Sequence, residues 1–248
     1  MFKSIFITLI AFITFISGAP GKENVSMIAH RGYSSKYHQN TEEAFIGAGK
    51  HGAGGAETDV RVTKDGVLVL SHNEDIEMKD GTKLIVADST YEELTAQPIK
   101  NKKTNTDLYI CTFERYLEIC KEYNMICFIE LKAEFSDEMI IKMFDLAKEV
   151  YDLDMCEFQS FNFDNLVRVH ELYPELKIML TYGEDSTGYE RCFDYGFDID
   201  VDYKVITKDM VEEFHSRGLK IGVWTCNSPC SLYYSYWLGV DYIESDKY

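Results

Sequence analysis

One alternation governs what this chain can fold into. Short runs rich in β-branched and aromatic residues recur at residues 25–30, 56–62, 67–71, 125–131, 156–160, 176–181, 197–201, 219–225 and 241–245. Between most of them lie stretches with the helical period, at residues 41–51, 112–123, 137–151, 162–172, 207–217 and 228–238. Strands alternating with helices at this spacing imply βαβ units and a parallel sheet. The chain's 248 residues also match the roughly 250 of a (β/α)8 barrel.

Local punctuation agrees. Thr41 before Glu42-Glu43, and Ser136 before Asp137-Glu138, are N-caps followed by an acidic first turn. Tyr195-Gly196 and Arg217-Gly218 are helix ends leading straight into new strands. Residues 73–109 break the alternation with a long polar stretch, which marks a functional loop or a small insertion. His51-Gly52-Ala53-Gly54-Gly55-Ala56 follows a helix and precedes a strand, the reverse of a phosphate-cradling turn, and reads as an αβ turn.

An apolar fraction of 46% supports a sizeable core, and a net charge of −17 argues against nucleic acid and anionic membrane surfaces as partners. The N-terminus has one lysine, an apolar run over residues 5–16, then Ser17-Gly18-Ala19. That is the pattern of a signal peptide over residues 1–19, too short for a spanning helix. The expectation is a secreted or cell-envelope protein, with an uncleaved membrane anchor as the alternative because Pro20 follows Ala19. No stable protein partner is evident, and membrane contact is expected only through that leader or a lipid substrate. The 7 cysteines are scattered through apolar surroundings and read as buried thiols. Cys226 and Cys230 could form a local disulfide, or a weak half of a metal site.

The chemistry concentrates where buried strands end. In Ala56-Glu57-Thr58-Asp59-Val60 the two carboxylates are two residues apart, so both project to one face of a strand. Glu130 and Lys132 repeat that spacing in Phe128-Ile129-Glu130-Leu131-Lys132. Acids inside apolar strands are costly unless a cation compensates them, and an all-oxygen set suits a hard divalent ion such as Mg²⁺ or Ca²⁺. The bland alternative is an ion network with Arg61 or Lys132. His30 ends the first strand and His72 follows the third, so in a barrel both would reach one mouth and serve as acid and base. His38, His51, His170 and His215 read as surface residues.

Ile28-Ala29-His30-Arg31-Gly32, Asn40-Thr41, Glu57-Thr58-Asp59-Val60, Thr63-Lys64-Asp65-Gly66 and His72 together resemble the glycerophosphodiester phosphodiesterase family. Ile129-Glu130-Leu131-Lys132, Val223-Trp224-Thr225-Cys226-Asn227 and Gly239-Val240-Asp241 continue the resemblance in order. It implies a TIM-like barrel over residues 25–248 with an insertion at 73–109 after the second histidine. It further implies His30 and His72 as the acid/base pair and Glu57, Asp59 and Glu130 as ligands of one divalent cation, Ca²⁺ or Mg²⁺. Arg31 and Lys132 would lie near phosphate, with Trp224 lining the mouth, for hydrolysis of a glycerophosphodiester to sn-glycerol 3-phosphate and an alcohol. Alternatives are a phospholipase D-like enzyme on lysophospholipids or sphingomyelin, and a silent barrel that binds phospho-ligands. Gln39, Asn73, Cys111 and Ser245 depart from the family pattern without removing a proposed catalytic group.

Overall fold

The structure is a computed structural model that describes residues 25–247, so the expected leader at 1–19 lies outside the described residues. Strands β1 (Ser26–Ala29) and β2 (Gly55–Val62) flank helix α1 (Glu42–Lys50). After β3 (Leu68–Leu70) come the hairpin β4 (Asp75–Glu77) and β5 (Lys83–Ile85) and the short helix α2 (Tyr91–Thr95). The remainder alternates: α3 (Phe113–Tyr123), β6 (Ile126–Leu131), α4 (Asp137–Val150), β7 (Cys156–Ser160), α5 (Phe163–Leu172) and β8 (Ile178–Tyr182). Then follow α6 (Cys192–Tyr195), β9 (Asp198–Asp202), α7 (Lys208–Ser216), β10 (Ile221–Trp224), α8 (Pro229–Leu238) and β11 (Tyr242–Ser245).

The sheet closes into a barrel because β1 pairs in parallel with both β2 and β11. Its order is β1-β11-β10-β9-β8-β7-β6-β2, with β3 hung on β2. The caps that the sequence marks are made: Thr41 accepts from Ala44 N–H and Ser136 from Met139 N–H. Gly196 and Gly218 take left-handed φ values of 71° and 75°. Helices pack outside the barrel over a core that includes Phe45, Tyr116, Phe144, Phe158 and Phe214, all essentially solvent-free. Inside it a single apolar layer of Ile28, Phe128, Met179 and Tyr242 separates the two ends. Gly55 is what lets β1, β2 and β6 close on one another: a Cβ there would lie 2.7 Å from the Ile126 carbonyl oxygen and 2.8 Å from Ile28 Cδ1.

Two elements differ from the sequence reading. The run at 67–71 is a strand, but β3 pairs antiparallel with β2 and is not a barrel stave. β2 overshoots the barrel rim, and β3 turns back along the overshoot through the Thr63–Gly66 turn, where Gly66 N–H donates to Thr63 O. His72 therefore reaches the mouth from outside. Between β8 and β9 the chain forms a 3₁₀ turn and α6, missed because so short a piece cannot display a helical period. The polar stretch after His72 carries a small core of its own, with Met78, Val86, Leu94, Ile99 and Leu108 buried.

All seven cysteines are free; Cys226 is buried, with its Sγ 3.4 Å from Ser235 Oγ, while Cys230 is exposed. Among the described residues, no helix is long and apolar enough to cross a membrane.

The Gly55 contact is directly testable. Gly55→Ala forces a methyl against a backbone carbonyl that cannot rotate away, and is expected to lower stability by about 1–3 kcal/mol in urea denaturation. An unchanged midpoint would show that the barrel does not close at this point.

Candidate active site

Each strand that enters the upper half of the barrel delivers its inward residue to one mouth. Registers place Glu57 beside Phe128, and Asp59 beside Glu130, which in turn sits beside Gln159. Glu57, Asp59 and Glu130 converge, with one oxygen from each within 4.8 Å of the others. Asp59 is fully buried, Glu57 nearly so, and Glu130 is 7% exposed.

The surrounding groups hold this cluster in place. Arg31, with φ of 56°, turns its backbone N–H onto Glu57 Oε2 at 2.9 Å and brings its Nε to 3.2 Å from Asp59 Oδ2. A non-glycine residue with positive φ is uncommon and costs about 1–3 kcal/mol, so the surroundings must enforce it. Asn40, also left-handed, donates to Asp59 Oδ2 at 2.7 Å while its Oδ1 accepts from Thr58. Lys132 Nζ lies 2.9 Å from Glu130 and 3.5 Å from Asp59. Arg61 takes no part: it donates to the carbonyls of Ser71 and His72, tying down the end of β3.

The two histidines meet different acids: His30 lies within 4.8 Å of Glu57 and Glu244, and His72 feels the charge of Asp59. His30 Nδ1 is 2.7 Å from Asp246 Oδ1, and Asp246 also accepts from Ser34 and Asn227. Burial alone would raise the Asp246 carboxyl, but its hydrogen bonds from His30, Ser34 and Asn227 bring it down to about 2. His72 Nδ1 faces Asn73 Oδ1 at 2.9 Å, which assigns the ring proton to Nδ1 and leaves Nε2 as an acceptor. Burial holds His72 below the ordinary imidazole range, more strongly than Asp59 raises it. Trp224 donates Nε1–H to the Asp200 carbonyl and stands edge-on to Phe161, whose ring is 47% exposed.

Beneath this set lie two acids that the sequence reading passed over, Asp200 and Glu244. Both carboxyls are buried, with Asp200 Oδ1 and Oδ2 and Glu244 Oε1 lacking any hydrogen-bond partner. Glu244 joins His30 and Glu57 in a second close group. Gly222 makes room for Asp200, since a Cβ there would meet Asp200 Oδ1 at 2.6 Å. The signal was present in Asp198-Ile199-Asp200 and Glu244-Ser245-Asp246, which carry the same two-residue acid spacing as Glu57 and Asp59. Asn227 closes the Val223-Trp224-Thr225-Cys226-Asn227 motif and Asp246 follows Glu244 by two, but their pairing with each other and with His30 arises only where the last strand meets the first. His38, read as surface, is instead half-buried between two cavities of about 190 and 330 Å³ at the mouth.

The donor set fits a cation. Burial, then the charges of Asp59 and Glu244, push Glu57 well above the carboxylate range, and burial with Asp59 carries Glu130 to about 7. Asp59 is lowered, because Arg31 and Lys132 outweigh its burial. Asp59 Oδ1 has no hydrogen bond. Crowded, all-oxygen and incompletely satisfied, the cluster suits a hard divalent ion.

A family model described as the glycerophosphoryl diester phosphodiesterase family matches residues 30–248. A glycerophosphodiester phosphodiesterase of Caldanaerobacter subterraneus is 30% identical over 89% of this chain and 93% of its own length. One from Bacillus altitudinis is 28% identical over 89% and 94%. The solved glycerophosphodiester phosphodiesterase of Thermotoga maritima, 30% identical, covers 90% of this chain and 95% of its own with a TM-score of 0.74. A phosphodiesterase from Oleispira antarctica, solved with the product sn-glycerol-3-phosphate, shares the fold at a TM-score of 0.79 and 23% identity, over 89% and 92%.

The raised carboxyls link pH, cation and stability. Glu130 has a folded value of about 7 against an ordinary 4.5, so the folded state binds the proton more tightly. Its contribution is complete below about 4.5 and is lost as pH rises through about 7. Metal-free protein should therefore melt lower at pH 8 than at pH 5. Added divalent cation should recover more at pH 8, by about 2.7 kcal/mol at a hundredfold excess over Kd. Glu57→Gln and Glu130→Gln should blunt that recovery. A melting temperature indifferent to EDTA and to cation at both pH values would remove the cation site.

Proposed function

The chain belongs to the glycerophosphoryl diester phosphodiesterase family and is an enzyme of that kind, and from the mouth geometry we propose how it works. It hydrolyses a glycerophosphodiester to sn-glycerol 3-phosphate and an alcohol, using His30 and His72 as the proton-transfer pair. One divalent cation, Ca²⁺ or Mg²⁺, is held by Glu57, Asp59 and Glu130. The supporting observation is the convergence of these three carboxylates within 4.8 Å at the mouth that His30 and His72 flank.

A cation bound there supplies charge stabilisation to the phosphoryl oxygens. The chain's own residues do the rest. His72, kept neutral by burial and with Nε2 free, takes the proton from the attacking hydroxyl; this is water's, or the glycerol's own, in which case loss of the alcohol leaves a cyclic glycerophosphate that water then opens to sn-glycerol 3-phosphate. His30 gives a proton to the departing alkoxide, and ionised Asp246 fixes its ring and balances its charge when it is protonated. Arg31 and Lys132, already at the carboxylates, add positive charge beside the phosphate. The exposed Phe161 edge against Trp224 favours one second reading, a lysophospholipid whose acyl chain lies on that wall. Export to the cell envelope or medium is also proposed, on the leader pattern alone, and fractionation of the producing cell tests it.

The test is release of glycerol 3-phosphate from glycerophosphocholine and glycerophosphoinositol, with release of choline from lysophosphatidylcholine, which leaves the acylated glycerol phosphate, reading the second substrate class. EDTA should abolish release and Ca²⁺ or Mg²⁺ restore it. His30→Ala and His72→Ala should each lower kcat by about 10²–10⁴-fold. Asp246→Asn should lower it about 10–100-fold with an unchanged melting temperature, as expected of a group that orients another. Release that survives both histidine substitutions would overturn the assignment.

A further inference from the structure

Against a net charge of −17, the segment Lys100-Asn101-Lys102-Lys103 is a cationic island, and the fold sets it over the mouth. Its turn is built rather than loose. Asn101 Nδ2 donates to Thr106 O at 3.0 Å, and Asn101 Oδ1 accepts from the backbone N–H groups of Lys103 and Thr104. Thr106 Oγ1 donates to Glu43 on α1 at 2.8 Å, which ties the turn to the helix that follows the first catalytic loop.

The charges on this turn are not balanced locally. Glu77 already serves Lys100, and Lys102 Nζ stands 3.7 Å from the same carboxylate. Among the described residues Lys103 has no carboxylate partner; its Nζ is 3.5 Å from the Ser35 carbonyl oxygen. Lys102 and Lys103 bound the 330 Å³ cavity whose inner wall is His30, Arg31 and Asp246. His38 lines it between the two sets, and burial together with Lys103 and Lys102 holds its ring in the neutral form. Across the mouth the wall is different in kind, made by Phe161 and Trp224.

We propose that Lys102, Lys103 and His38 form a specificity subsite for glycerophosphodiesters whose alcohol carries a second anion, a phosphate or a carboxylate. The proposal rests on the hydrolytic reading above and adds to it which substrates are preferred. Two ammonium groups and a neutral imidazole donor match a phosphate's charge and acceptor oxygens, whereas a quaternary ammonium at the same place would meet like charge.

Three diesters that differ in the charge of the alcohol test this: glycerophosphocholine, glycerophosphoinositol and glycerophosphoinositol 4-phosphate. The expected kcat/KM for the 4-phosphate is about tenfold or more above that for glycerophosphoinositol, with the choline diester lowest. That preference should shrink as salt is raised, since the lysines are solvent-exposed and screened. Lys102→Ala/Lys103→Ala should bring the inositol pair close to parity, and Lys102→Glu/Lys103→Glu should invert their order, with melting temperatures reported for each variant. Calorimetric binding of the same diesters to His72→Ala reads the subsite without turnover. Selective binding with no cleavage by the native enzyme would sink the hydrolytic reading and keep the subsite. Cleavage of all three with no charge preference, or a preference untouched by the lysine variants, would overturn the subsite.

Discussion

Mutual repulsion among buried carboxylates is the constraint around which this molecule is arranged. Carboxylate oxygens within 4.8 Å of one another repel by about 3 kcal/mol per pair at an effective dielectric of about 20. Most features of the mouth answer that term. Arg31 adopts a left-handed backbone so that its amide reaches Glu57 while its side chain reaches Asp59. Lys132 spans Glu130 and Asp59, and Asn40 gives Asp59 a neutral donor. Two chain cations do not balance Glu57, Asp59, Glu130, Asp200 and Glu244, so burial and mutual repulsion raise the deeper carboxyls toward their neutral forms, and the cluster above them suits a divalent ion.

The barrel is what makes such crowding affordable in structural terms. Alternation along each stave sends apolar residues outward against the helices and leaves the inward positions for function. Below the acids, Ile28, Phe128, Met179 and Tyr242 seal the interior, so the polar set occupies the upper half only. Small residues do the fitting: Gly55 admits the closing strand, and Gly222 leaves space for Asp200. Removal of a single inward acid would relieve repulsion, so the loss expected of Glu57→Gln or Glu130→Gln is one of cation affinity more than of folding.

The two histidines reach the mouth by unlike routes, and this shapes their chemistry. His30 grows directly out of β1 and is clamped by Asp246 at the end of the last strand, so barrel closure itself builds the pair. His72 arrives on a strand running the other way, held by Arg61 at its carbonyl and Asn73 at its ring. One imidazole therefore has an ionised partner and the other an amide. The segment after His72 then folds into its own small core and returns a lysine turn to the same opening.

Much was legible before any coordinates. The alternation gave the staves, with bounds close to those observed, and the two-residue spacing of Glu57 and Asp59 and of Glu130 and Lys132 gave the shared face, because strand geometry is local. Asp200 and Glu244 obey the same rule and could have been read from it. What sequence alone could not supply depends on pairs far apart in the chain. His30 with Asp246 is 216 residues apart, and Glu43 with Thr106 is 63. The antiparallel sense of β3 follows from a turn's geometry rather than from composition. The half-burial of His38 follows from what packs over it. Periodicity and spacing are properties of neighbours along the chain, so the sequence determined the elements and the faces they present. Which distant groups meet, and how burial then alters their charge, was decided only when the barrel closed.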